Sequence, residues 1–167
     1  LKTMEPDLQI MVSKCETPDK VMDLGVQEGF TRALYAAHNG VYRMSPDIEG
    51  LIQTSNNLAK IEVAKGKYLI HCLTRSAIDT EKMDFAQSIV STFSLAGIEI
   101  KLTGAYPGWI PKPKAKIVEL LSDTYKDLFK EDVKVSATHG GLECGIIGKN
   151  YPDMDMISFG PNITGPH

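Results

Sequence analysis

The chain has 167 residues, 43% of them hydrophobic and 23% charged, with a formal net charge of −3. That balance belongs to a globular chain with a core of its own, and a slight acidic excess gives no footing for nucleic acid or an acidic membrane as partner. No apolar run approaches the ~20 residues that span a bilayer, residues 1–5 lack the apolar centre of a secretory leader, and three scattered cysteines (Cys15, Cys72, Cys144) suit a reducing cytoplasm better than a disulfide scaffold.

Residues 7–14 (DLQIMVSK) read as a strand. Thr17 and Pro18 supply an N-cap followed by proline at the first helical position. The helix expected there carries Val26, Phe30, Ala33, Leu34 and Ala37 on one stripe and stops at Asn39-Gly40. A less regular stretch leads to a hairpin, residues 58–63 and 67–74, turned by Lys65-Gly66. Asp79 is placed to cap a second helix with Met83, Ala86, Val90 and Phe93 at helical spacing, ended by Gly97, and residues 98–102 form a fourth strand. The order to this point is βαββαβ, the ferredoxin-like split motif.

Residues 104–113 hold three prolines and two glycines, which reads as a domain crossing. Beyond it the pattern predicts a helix with Val118, Leu121, Tyr125 and Leu128 on one face, and a strand at residues 133–137. A glycine-rich loop that opens a short helix and a strand at residues 154–159 follow. This αβ(α)β piece is too small to bury a good core and reads as the closing part of a sheet whose other strands lie elsewhere. The fold class expected is therefore α/β: a ferredoxin-like half over residues 1–104 and an incomplete α/β segment over 105–167. A start at Leu1 and an end in the loop at His167 suggest a piece of a longer protein.

The densest chemical cluster is His139-Gly140-Gly141-Leu142-Glu143-Cys144-Gly145, after a predicted strand. Glycines there allow a ligand close to the backbone and leave amide donors free for an anion, with His139 and Glu143 as a ligand or an acid–base group. Taken alone, a glycine-rich turn without catalysis is the commoner use of such a segment, and Cys144 as nucleophile lacks an orienting third group. Arg75 lies at the exit of the second hairpin strand. A tight Lys65-Gly66 turn pairs it with Asn56, and Asn57 with Thr74, unless a bulge shifts the register by one. A guanidinium there suits a carboxylate in bidentate geometry, although a solvated edge charge is the plainer reading. His71, on the Arg75 face, is expected to be packed.

Several segments together resemble the aminoacyl-histidine dipeptidases (Xaa-His dipeptidases) of the two-zinc exopeptidase family that includes carnosinases. They are residues 54–58 (TSNNL), 70–79 (IHCLTRSAID), 104–109 (GAYPGW), 139–145 (HGGLECG) and 154–167 (MDMISFGPNITGPH). The resemblance implies that residues 1–104 are the second half of a lid domain and 105–167 the return into the catalytic domain. It implies that His167 is a ligand of a two-zinc site (manganese or cobalt being alternatives), that Arg75 holds the carboxylate of a dipeptide with C-terminal histidine, and that Asn57 assists it. Gly140, Gly141, Leu142 and Glu143 would form the wall along the substrate. The remaining metal ligands and the general-base glutamate would lie in a missing N-terminal part, so the chain alone is expected to be inactive. A non-catalytic lid or dimerisation module, able to form a homodimer, is the alternative. RNA binding is disfavoured by the absence of stacking aromatics on the strands.

Overall fold

The computed structural model describes residues 6–160. Its elements are a helix α1 (Leu24–Ala36), strands β1 (Gly40–Met44), β2 (Ile52–Ala64) and β3 (Lys67–Ser76), and helices α2 (Asp79–Leu95), α3 (Lys116–Phe129) and α4 (Glu143–Asn150). The mixed α and β content is as expected. The outer members of the βαββαβ order are not: residues 7–14 and 98–102 form no strand and pair with none among the described residues, and the same holds for 133–137 and 154–159. Instead the stretch after Asn39 supplies β1, giving an antiparallel sheet in the order β1-β2-β3. Strand composition is a local property, whereas a strand also needs a neighbour to accept its backbone hydrogen bonds.

The first helix begins later than the Thr17-Pro18 signal suggests. Asp23 caps it, its Oδ1 accepting from the amides of Gly25 at 2.9 Å and Val26 at 3.2 Å, which satisfies two of the free donors at a helix start. The expected stripe then buries Phe30, Ala33 and Ala37, while Val26 stays half exposed. The hairpin turns at Lys65 (φ 53°) and Gly66 (φ 72°), the paired positive φ of a type I′ turn.

Near the turn the register is the expected one, with Ala64 opposite Lys67 and Lys60 opposite His71. A bulge between Leu58 and Lys60 then shifts it by one, so Asn56 faces Thr74, Asn57 faces Leu73 and Ser55 faces Arg75. The shift lies in the strand rather than in the turn. It puts the wide Asn56 amide inward, where its Nδ2 donates to the His38 carbonyl at 2.8 Å and its Oδ1 accepts from Thr74 at 2.9 Å.

The core gathers Phe30, Ala33 and Ala37 of the first helix end, Phe85, Ile89 and Phe93 of α2, and Ile98. The buried stripe of α2 is thus Phe85-Ile89-Phe93. Of the four residues at helical spacing Phe93 belongs to this stripe, while Met83, Ala86 and Val90 line a groove of about 1330 Å3 between β3, α2, residues 97–107 and residues 139–141. This helix is apolar on two sides, so periodicity alone could not choose between them. Phe30, Phe85, Ile89 and Phe93 are each large enough to contribute about 1.5–3 kcal/mol by burial, which places the stability of the molecule in this α1–sheet–α2 layer. By contrast α3 has no fully buried residue. It ends at Lys130 in the left-handed conformation (φ 60°).

Candidate functional site

The site assembles on the sheet face turned away from the core. Because opposed residues share a face, the Ser55–Arg75 and Asn57–Leu73 pairs put Ser55, Arg75, Asn57 and Leu73 on one surface. Asn57 is exposed there, two residues along β2 from Ser55; the expected register set Asn56 opposite Arg75, and the bulge instead turns Asn56 inward and brings Asn57 onto the Arg75 face. His71 lies on the same face but is exposed rather than packed. Arg75 is exposed too and forms no ion pair among the described residues.

A contact between residues 84 apart in sequence brings the second half of the chain onto this face: His139 Nε2 lies 2.8 Å from Ser55 Oγ. Ser55 is the cross-strand partner of Arg75, so the glycine loop that starts at His139 is fastened beside the guanidinium. Partial burial and the positive charge of Arg75 both hold the His139 imidazole below its ordinary pKa, burial being the larger cause. Both effects favour the neutral ring, which donates from one nitrogen and accepts at the other.

The loop is held from its other side by the crossing segment. An added Cβ on Gly141 would fall 2.2 Å from the Tyr106 ring, so only glycine lets that ring lie against the loop. Residues 107–108 are threaded between two backbones. A Cβ on Gly108 would meet the Ala77 carbonyl oxygen at 2.3 Å, and one on Gly145 of α4 would meet the Pro107 oxygen at 2.8 Å.

Asp79 anchors the strap. Its Oδ1 accepts from the Gly108 amide at 2.8 Å and from Lys82 Nζ at 2.5 Å, and Lys82 also donates to the Tyr106 carbonyl. Asp79 is thus the first residue of α2 rather than its cap, a place taken by Ile78 with no side-chain bond. The hydrogen bond from Lys82 is the main cause that holds the Asp79 carboxyl below its usual range.

Of the wall residues, Gly140 donates its amide to Thr138 Oγ1 at 3.1 Å, Leu142 is half-buried at the start of α4, and Glu143 is exposed in its first turn. Sequence reasoning named this loop and Arg75 separately. It missed Ser55, which joins them, and Asp79, which braces the strap; a bulge and a contact so far apart leave no local signal. His167 lies outside the described residues. Among those described, no group of three or more His, Cys, Asp or Glu side chains could hold a metal ion, so the described residues do not by themselves fit a two-metal centre. Among them, too, no helix is long and apolar enough to cross a membrane.

No family model matches the sequence. The chain is 36% identical over all 167 residues to the cytosol non-specific dipeptidase of Escherichia coli (strain K12) and spans 34% of that protein. Its structure is similar to the crystal structure of the aminoacylhistidine dipeptidase from Vibrio alginolyticus, with a TM-score of 0.85 and 36% identity, over 99% of this chain and 34% of that one. The chain is homologous to these two proteins and spans about a third of their length.

Proposed function

We propose that this chain is part of a metallo-dipeptidase that hydrolyses dipeptides with a C-terminal histidine, and that it contributes substrate-holding surfaces rather than the reacting groups. The observation that carries the reading is the joining of Arg75 and the glycine loop through Ser55 and His139. It brings together, from three separate stretches of sequence, a free guanidinium and a backbone wall of the kind that grips a short peptide by its end. Homology along the full chain to proteins named as dipeptidases supports the assignment.

In this reading Arg75 pairs with the substrate's terminal carboxylate in bidentate geometry. Holding a small substrate at one end fixes its orientation, which is a large part of what a binding surface contributes to a bond-breaking step. Gly140 and Gly141 let the peptide approach the main chain, Leu142 and Glu143 complete the wall, and Asn57 assists from two pairs along the same face. Residues 1–104 act as the second half of a lid and 105–167 as a return into a catalytic domain. Two zinc ions, or manganese or cobalt in their place, would be held by His167 together with ligands outside this chain, where the general base would also lie. When bound, such ions supply an activated water and polarise the scissile carbonyl. The cytoplasm is the compartment proposed, as for the cytosol dipeptidase it resembles.

The test is binding and turnover measured on the same preparation. N-acetyl dipeptides and free Xaa-His dipeptides are expected to shift the Arg75 and Leu73 amide resonances at millimolar concentration. Arg75→Met is expected to weaken that binding at least about tenfold, since hydrogen bonds to charged groups contribute about 1.5–3 kcal/mol. With zinc added, the chain is expected to leave Xaa-His dipeptides intact. Hydrolysis by the purified chain would show that the reacting groups are present, and undiminished binding by Arg75→Met would remove the anchor.

A further inference from the structure

We propose that His139 is a positioning residue which clamps the glycine loop to the Ser55–Arg75 strand pair, and that a carboxylate bound at Arg75 is energetically coupled to the proton on His139. The inference rests on the reading of Arg75 as a carboxylate anchor and goes beyond it. The geometry is specific. Ser55 and Arg75 are direct partners across β2 and β3, and His139 Nε2 sits 2.8 Å from the Ser55 hydroxyl. The imidazole is therefore fixed over the pair from a different part of the chain.

The charge arrangement gives the clamp a second property. The groups on the neighbouring elements are Arg75 and, further along the same face, His71 on β3, Lys82 on α2, Tyr106 in the crossing segment and Glu143 at the start of α4. Lys82 is occupied by Asp79 and the Tyr106 carbonyl, and among the described residues it is the Arg75 charge, after burial, that disfavours a proton on the ring. With the anchor empty, a proton on His139 would place two positive charges side by side. A carboxylate arriving at Arg75 cancels that repulsion, so it raises the affinity of His139 for its proton. By reciprocity, protonating His139 strengthens carboxylate binding by the same factor. The sign is fixed: carboxylate affinity rises as pH falls through the range in which His139 titrates.

The probe is N-acetylalanine, which carries the terminal carboxylate without a second group titrating near neutrality. The His139 ring resonances of the full chain are followed from about pH 5 to 8, the range in which imidazole changes charge, with and without saturating probe. His139 is expected to titrate below about 6.5, the ordinary histidine value, in the free chain, and at higher pH when the probe is bound. His139→Gln, which removes the titrating ring, is expected to abolish the pH dependence of probe affinity between about pH 5 and 8. Ser55→Ala is expected to reduce both the affinity and the shift.

If the probe perturbs the Arg75 and Leu73 amides but leaves the His139 midpoint unmoved, the coupling is wrong and the anchor stands. If it perturbs neither, the anchor reading falls and the coupling with it. If His139→Gln keeps the full pH dependence, another group is responsible and the coupling to His139 is refuted; if Ser55→Ala leaves the affinity unchanged, the clamp is refuted.

Discussion

Gly108→Ala tests whether the crossing segment is as tightly threaded as the structure indicates. The new Cβ would lie 2.3 Å from the Ala77 carbonyl oxygen, 2.6 Å from its carbon and 3.0 Å from the Ser76 oxygen. All three are backbone atoms at the β3–α2 corner, so no side-chain rotation relieves the clash. The segment cannot retreat either, because the Pro107 oxygen already lies where a Cβ on Gly145 would be.

Overpacking of this kind costs about 1–3 kcal/mol. Displacing residue 108 also weakens the Gly108 amide bond to the Asp79 carboxylate, in a class worth about 1.5–3 kcal/mol when fully formed and less on an exposed surface. A total of about 2–4 kcal/mol follows from the two together. Trp109, the single tryptophan, is one residue away and reports the event by fluorescence in a urea titration. With a slope of about 2 kcal/mol per molar urea, the middle of the usual range, the midpoint is expected to fall by about 1–2 M at unchanged slope. Gly140→Ala serves as control, since its nearest neighbour would be the Thr138 hydroxyl at 3.4 Å, and is expected to move the midpoint little. A Gly108→Ala midpoint equal to that of the control would refute the threading argument.

Asp79→Asn is expected to destabilise the same segment at neutral pH and to flatten the acid limb of stability. Its carboxyl is held below the usual range in the folded chain, so the stabilisation is present above the unfolded value and is lost as pH falls through the folded one; acid titration of Trp109 fluorescence reads it. Gly141→Ala is expected to cost about 1–3 kcal/mol by driving a methyl group into the Tyr106 ring. The double variant Gly141→Ala/Tyr106→Ala should recover part of that cost, and strict additivity in a double-mutant cycle would show that the ring does not lie on the loop.

How much of this was legible follows from how local each feature is. The hairpin was readable because Lys65-Gly66 is a two-residue turn of the right chemistry between strand-forming runs. Its outer half was not, because a bulge near Ala59 has no compositional mark and yet moves every pair beyond it. The loop at 139–145 stood out by its glycines, while its docking point, Ser55, looks like any strand serine. Segments 7–14, 98–102, 133–137 and 154–159 have the residues of strands, but whether a strand forms is decided by a neighbour that sequence alone does not supply. The helix α2 was legible from its spacing, but which of its apolar sides faces the core was not: Phe93 is buried, while Met83, Ala86 and Val90 line the groove. Its second apolar side looks like a core stripe, and it is apolar because it lines the groove.

That groove carries a consequence for handling the protein. A strand residue in a packed sheet occupies about 4.8 × 10 × 3.3 Å, roughly 160 Å3, so a space of about 1330 Å3 would accept a strand of about eight residues. One wall is the ten-residue β3, which has no partner on that side among the described residues. An open edge above an apolar floor is a template for extended segments of other molecules. Loss of soluble protein is therefore expected to rise with concentration, and a charge introduced at Val90 on the groove floor is expected to delay it.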